Sequence, residues 1–181
     1  MINKEHYQFI RQHPAFENFP VESFDKLAIE IQFHKVSKGQ IIFFSGDRRD
    51  RLFLLYQGYA RIEQYDATDT FSYTDFIKKG NVFPYGGIFF DERYHYTASA
   101  VTQVEYFSIP MKLFEDFSKK NVNQLLFITQ KLSRILEFQE LRLRNVVAVS
   151  ATDRVVQSLS ILCMDLCKTG DVLPFPISMK E

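Results

Sequence analysis

Six of the seven glycines in this 181-residue chain fall between residues 39 and 87, each in or beside a break between short runs of aromatic and β-branched residues. A helix of ordinary length does not fit between such breaks, whereas short strands do. The runs span residues 41–44, 52–56, 59–65, 71–77, 82–84, 97–102 and 104–109. The breaks are Lys38-Gly39, Ser45-Gly46-Asp47, Gln57-Gly58, residues 66–69, Lys79-Gly80-Asn81 and Gly86-Gly87. Seven or eight strands at this spacing predict a sandwich or roll. Many breaks exceed a two-residue hairpin turn, so simple hairpins are not expected to account for all the pairing.

On either side of this tract the period is helical. Asn3 can cap a turn carrying Tyr7 and Ile10 that Pro14 ends, and Pro20 suits a helix's first position. Phe24, Leu27, Ala28 and Ile31 then form one apolar stripe fit to lie against a sheet. The first forty residues therefore read as short helices, with β pattern from residue 36. After Pro110, Met111, Phe114 and Phe117 mark a short amphipathic helix ending near Asn121.

From Val122 to about Val149 there is neither Gly nor Pro. A single helix there would be roughly 42 Å long, more than one small domain can cover. Leu125, Ile128, Leu132, Ile135 or Leu136, Gln139, Leu143 and Val146 recur at spacings of three and four, the pattern of a coiled-coil seam between two copies of the chain. A second stripe, Phe127, Leu136, Phe138 and Leu141, is expected to pack on the chain's own sheet. Ser150-Ala151-Thr152-Asp153 interrupts the run and offers new caps, so a hinge is expected at Val149, Ser150, Thr152, Asp153 and Arg154. A last helix would turn Val155, Val156, Leu159, Leu162, Cys163 and Leu166 inward, with Gly170 at its C′ position. The tail beyond reads as extended, with Ser178-Met179-Lys180-Glu181 able to cap a further helix.

The fold class predicted is α+β: an antiparallel β-roll of the jelly-roll or double-stranded β-helix kind, flanked by helices and followed by a long dimerisation helix. Three regions are expected, at residues 1–120, 121–150 and 151–181.

Lysines plus arginines number 22 and aspartates plus glutamates 22, a formal net charge of zero. A clamp for phosphate backbones would be clearly basic, so these residues are not expected to grip nucleic acid by themselves. The charge-free stretches 80–90 and 94–104 are too short to span a bilayer, and the N-terminus lacks an apolar signal core. A soluble cytoplasmic protein is expected. The 19 phenylalanines and 9 tyrosines, with no tryptophan, call for an aromatic core, an aromatic pocket, or both.

Cys163 and Cys167 are too few for a disulfide framework. Their spacing places both on one helix face, but His6, His13, His34 and His95 all lie far upstream, so packing is favoured over metal binding. Side chains at that spacing on an unbroken helix rarely align for a disulfide. No cofactor is expected: an iron–sulfur centre needs more cysteines, and neither His34 nor His95 has the context of a haem ligand. No P-loop, GxSxG or HExxH constellation is present. Asp47, Asp50, Asp91 and Glu92 beside Arg48, Arg49, Arg51 and Arg93 read as solvated loop salt bridges, not an acid/base pair. An enzyme is not expected.

The order of elements resembles the Crp/Fnr family of bacterial transcription regulators. The resemblance is carried by Lys38-Gly39-Gln40-Ile41-Ile42-Phe43 with Ser45-Gly46-Asp47, by the run Leu52-Phe53-Leu54-Leu55-Tyr56-Gln57-Gly58-Tyr59-Ala60-Arg61-Ile62, by Lys79-Gly80-Asn81-Val82-Phe83, and by Ala151-Thr152-Asp153-Arg154-Val155-Val156-Gln157-Ser158-Leu159. It implies a cyclic-nucleotide-binding-type sensor, a homodimer, and promoter DNA bound through a winged helix–turn–helix after the hinge. Residues 177–181 resemble only the threshold of that reader, whose recognition helix and wing are absent. Either the chain is cut there, or it is a natural sensor that has lost its reader.

In the family a glutamate holds the ribose, and an arginine with helix amides holds the cyclic phosphate. Here Gly87 stands in the glutamate's place, Tyr94-His95 falls where Arg-Ser or Arg-Thr is expected, and Gln139-Glu140 replaces the adenine-reading Thr-Ser pair. Arg93 is one residue off. The resemblance therefore implies a sensor that does not answer to cyclic AMP. Phe83, Tyr85, Gly86, Gly87, Arg93, Tyr94, His95, Gln139 and Glu140 are the candidate effector-pocket residues. Phe89, Phe90 and Tyr96 add to the aromatic crowding. Two readings stand: a pocket for another small effector or one filled by its own rings, and rings that simply close the roll. The functional alternative is a stand-alone cyclic-nucleotide-type or cupin-like small-molecule-binding domain with no DNA-linked role.

Overall fold

The computed structural model describes residues 2–65, 72–146, 150–167 and 172–176. The chain packs as two compact units, Met1–Phe127 and Ile128–Glu181.

The first unit opens with α1 (Lys4–Arg11), whose N-cap Asn3 accepts a hydrogen bond from the His6 amide as its position foretold. In α2 (Val21–Glu30) Pro20 is the N-cap and not the first helical residue, because its ψ of 146° is extended. Phe24, Leu27, Ala28 and Ile31 are all buried, as the stripe required.

Eight strands follow: β1 (Gln32–Val36), β2 (Ile41–Phe43), β3 (Arg51–Gln57), β4 (Tyr59–Tyr65), β5 (Ser72–Lys78), β6 (Val82–Phe83), β7 (Thr97–Ala100) and β8 (Val104–Pro110). They form two antiparallel four-stranded sheets, ordered β1-β8-β3-β6 and β2-β7-β4-β5. Among the described residues only β4 and β5 pair as sequence neighbours, so the roll is closed by long-range pairs such as β1 with β8 and β2 with β7. This is the β-roll read from the sequence. One strand was not foreseen. β1 lies in the stretch assigned to helices, because the chain passes from α2 into extended backbone at Ile31 with no glycine or polar turn to mark the change. The 66–69 turn and Phe71 lie outside the described residues.

Two apolar layers hold this unit together. Between the sheets, Phe43, Phe53, Leu55, Ile62, Phe83, Tyr94, Val104 and Tyr106 form one buried cluster. On the far side of β3 and β8, Leu52, Leu54, Phe107 and Ile109 are fully buried as well. There α3 (Met111–Lys119) brings Phe114 edge-on to Phe16 and Phe19, with ring centroids 5.7 and 5.6 Å apart. Burial on both faces explains why β3 is a continuous apolar run and does not alternate.

α4 (Val122–Val146) is one unbroken helix, and the division between the units falls within it. Ile128 is buried, whereas Leu132, Ile135, Leu136, Leu141 and Leu143 are exposed in the single chain. In the second stripe Leu136 is 61% exposed, and Phe127 and Phe138 are half-buried. Val149 lies outside the described residues, and of Val146 only the backbone is described. In the second unit α5 (Ala151–Leu166) starts at Ser150, whose hydroxyl accepts from the Asp153 amide at 3.0 Å, so the foreseen cap forms. Of the six residues expected to face inward, only Leu166 is buried; Val155, Val156 and Leu159 are exposed, while Leu162 and Cys163 are half-buried. The helix closes at Cys167, its C-cap, and Gly170 and residues 177–181 lie outside the described residues. Among the described residues no helix is long and apolar enough to cross a membrane.

Candidate effector site

The stretch between β6 and β7 is a tight turn that the rest of the first unit pins from two sides. Within it, the Ile88 amide donates to Tyr85 O at 3.2 Å, and the Asp91 amide to Gly87 O at 2.9 Å. Gly87 has φ +76°, and a Cβ there would stand 2.1 Å from Asp91 Oδ2. Only glycine meets both conditions without a shift of Asp91, so Gly87 is demanded by this turn. Phe89 also has a positive φ, 74°, which a bulky residue rarely adopts without outside support.

That support is a buried ion pair. Arg49, with a side chain 1% exposed, directs both terminal nitrogens at Glu115 Oε1 on α3, 3.1 and 3.0 Å away. Its Nη2 also donates to Gly87 O at 2.6 Å, and the same Glu115 oxygen accepts from the Phe89 amide at 2.9 Å. One carboxylate and one guanidinium thus hold the turn by its backbone. Charge-assisted bonds of this kind are roughly twice as strong as neutral ones. Arg49 is not the solvated loop arginine its neighbours in sequence suggest. Nothing distinguishes it from Arg48 and Arg51 except this burial, and Glu115 is equally unmarked on an amphipathic helix.

A second set of bonds ties the cassette to the loop before β3. Gly46 N donates to Tyr94 O, Tyr94 N to Asp47 O and Arg49 N to Glu92 O, at 2.8, 3.0 and 2.8 Å. Arg93 is exposed and donates to Gly46 O at 2.6 Å. It braces the loop from outside. His95 Nε2 lies 2.6 Å from Asp91 Oδ2 at the surface.

Tyr94 takes the opposite course. Its ring enters the interior between the sheets and stacks on Phe43 with centroids 4.0 Å apart. Its hydroxyl donates to Arg51 O at 2.8 Å and accepts from the Arg51 amide at 3.2 Å. Phe43 stacks in turn on Phe53 at 5.1 Å, and Phe53 meets Phe83 and Tyr106 at 5.6 and 5.7 Å. Burial pushes the Tyr94 phenol up to about 12, and raises Tyr85 and Tyr96 in the same direction. These groups stay neutral hydroxyls across the physiological range.

Of the sequence-predicted pocket residues, Phe83 and Tyr94 meet in the interior cluster. Tyr85 is buried outside that cluster, Gly86 and Gly87 shape the turn, and Arg93 and His95 face out. Gln139 and Glu140 lie on α4 in the second unit, half-buried and exposed respectively. Sequence reading missed Phe43 and Phe53 as the ring partners of Tyr94; the apolar runs of β2 and β3 that carry them do not distinguish these two rings from their neighbours. Among the described residues no three His, Cys, Asp or Glu side chains gather as metal ligands would.

Comparison with known proteins agrees with this fold. Residues 33–121 match the cyclic nucleotide-binding domain family. The chain is 25% identical over 157 residues to the global nitrogen regulator of Synechococcus elongatus, an alignment covering 83% of this chain and 70% of that protein. The crystal structure of the sensor domain of the transcriptional regulator DNR from Pseudomonas aeruginosa superposes with TM-score 0.64 at 22% identity, over 80% of this chain and 99% of that one. The structure of DNR itself gives TM-score 0.64 at 22% identity, over 98% of this chain and 79% of that one.

Proposed function

We propose, on the premise that residues 33–121 form a cyclic nucleotide-binding domain of Crp/Fnr type, that this chain is the sensing and dimerisation region of a transcription regulator whose roll is filled by its own side chains. In this reading the domain does not respond to cyclic AMP. The observation that supports it is the Phe43–Tyr94 stack: Tyr94, which by resemblance falls where the family's phosphate-pairing arginine is expected, has its ring in the buried cluster of the roll. A ring cannot neutralise a cyclic phosphate, and Gly87 cannot hold a ribose hydroxyl. Together these remove the two charge-assisted contacts on which such a ligand depends.

The regulator reading further assigns the exposed α4 residues Leu132, Ile135, Leu136 and Leu143 to a seam with a second copy. Ile128, buried by the chain itself, is left out of that seam. Ser150 to Arg154 serve as the hinge between sensor and DNA reader, and the regulator works in the cytoplasm on promoter DNA. Similarity to a nitrogen regulator and to DNR supports the DNA-linked role over a stand-alone binding domain.

Isothermal titration with cyclic AMP and cyclic GMP tests the sensor reading. No binding is expected up to millimolar ligand. Micromolar binding of either nucleotide would overturn it.

A further inference from the structure

We propose that Cys163 and Cys167 form a redox-active dithiol at the C-terminal end of α5, which a small-molecule disulfide closes to an intramolecular disulfide. Four residues apart on an uninterrupted helix, two such thiols rarely point at one another. Here their Sγ atoms lie 2.7 Å apart, not far beyond the roughly 2.05 Å of the bond itself. Both residues are half-buried, so a small oxidant can reach them while the surrounding chain still limits their motion.

The backbone explains why this pair differs from cysteines inside a helix. The Cys167 amide donates to Cys163 O at 2.9 Å, which keeps the two residues one helical turn apart. At Cys167 the chain leaves the helix, with φ −75° and ψ 126°. Cys167 is thus the C-cap and not a helical residue, so the small shift a sulfur–sulfur bond requires falls on a residue outside the helical geometry. Closure would fix the point at which the chain departs from α5.

The chemistry balances with oxidised glutathione as the oxidant. One cysteine loses its proton and its thiolate attacks a glutathione sulfur, breaking that disulfide and releasing one glutathione thiolate, which takes up the proton. The second cysteine, deprotonated in turn, attacks the protein sulfur of the mixed disulfide. The Cys163–Cys167 bond forms and the second glutathione leaves as a thiol. Two protein thiols are oxidised and one small disulfide is reduced to two thiols.

The test equilibrates the full chain in glutathione buffers of graded oxidised-to-reduced ratio. Remaining thiols are then trapped with an alkylating reagent and the intact mass is read. The expected product has lost two hydrogens and carries no alkyl group. Cys163→Ser and Cys167→Ser each stop at a single glutathione adduct. Repeating the series in urea separates folded geometry from mere closeness in sequence, with native closure expected at an effective thiol concentration at least about ten-fold higher. Glutathione adducts without the two-hydrogen loss, a disulfide between chains, or equal closure in urea and buffer would each overturn the proposal.

Discussion

Arg49 and Glu115, separated by sixty-six positions, are joined by both terminal nitrogens of the guanidinium on one carboxylate oxygen, at 3.1 and 3.0 Å. The Arg49 side chain is 1% exposed and that of Glu115 17%. Removing the carboxylate strands a positive charge where water cannot solvate it. Glu115→Ala is therefore expected to cost roughly 3–5 kcal/mol in urea unfolding. The double variant Arg49→Met, Glu115→Leu should cost less than the sum of the two single changes, since it buries no lone charge. Equal losses in the single and summed measurements would mean the two groups act independently.

Gly87 and Gly46 form a matched pair of controls for the turn. Both have positive φ, +76° and +85°, but an added Cβ meets Asp91 at Gly87 and nothing within 4 Å at Gly46. Gly46→Ala should cost about 1 kcal/mol from backbone conformation alone. Gly87→Ala should cost about twice that or more, because Asp91 must swing away from His95 as well. Thermal melting of the two variants gives the comparison, and equal shifts would show that Asp91 yields freely.

Tyr94 offers two separable contributions. Tyr94→Phe keeps the stack on Phe43 and removes the hydroxyl that bonds the Arg51 backbone, a loss of about 1 kcal/mol. Tyr94→Ala also empties the ring's volume between the sheets, and about 3–5 kcal/mol is expected. Chemical denaturation resolves these two steps. A Phe variant as damaged as the Ala variant would place the stability in the hydrogen bonds and not in the stack.

Alkali should weaken the same interior. The folded Tyr94 phenol is raised to about 12 by burial, with Tyr85 and Tyr96 shifted likewise, against an ordinary value of about 10. The folded state therefore holds these protons more tightly than the unfolded chain does. Their contribution is complete below pH about 10 and is lost as pH rises toward about 12. Urea midpoints measured through that window should fall, with the part of the tyrosinate absorbance that belongs to these three buried rings rising only as the chain unfolds. Tyr94→Phe should flatten the slope. His34 gives the mirrored case at acid pH: burial, then the Arg51 charge, lowers its value. The neutral form is favoured in the fold, and stability drains as pH falls below about 6.5.

The roll was legible because its strands are separated by glycines that the backbone requires: Gly39, Gly46, Gly58, Gly80 and Gly87 all have positive φ. β1 was not, since it follows α2 directly and its exposure pattern lacks clean alternation. In the site, Gly87 and Tyr94 could be singled out from the sequence. The contacts that hold them could not. Arg49 and Glu115 are brought together only by the packing of α3, and the stack of Tyr94 on Phe43 joins a loop to a strand far earlier in the chain. α5 misled for a simpler reason: apolar spacing marks a face that is to be covered, but it does not say by what.

The same ambiguity applies to α4, and there a mutation can resolve it. Leu132 lies three and four residues before Ile135 and Leu136, Leu143 follows Leu136 by seven, and Leu143 is 66% exposed in the single chain. Scattered exposed leucines are ordinary, but a row at helical spacing is what a coiled-coil partner covers. If a second copy supplies that cover, light scattering should give twice the 21.3 kDa chain mass at micromolar concentration. Leu132→Glu with Leu136→Glu would set like charges against each other across the seam and yield monomers. The chain should stay folded, because both side chains are already exposed within it. Phe90→Ser, which removes an exposed ring from the first unit and none from α4, should leave the dimer intact. A double variant that still scatters as a dimer would move the interface to another face of the molecule.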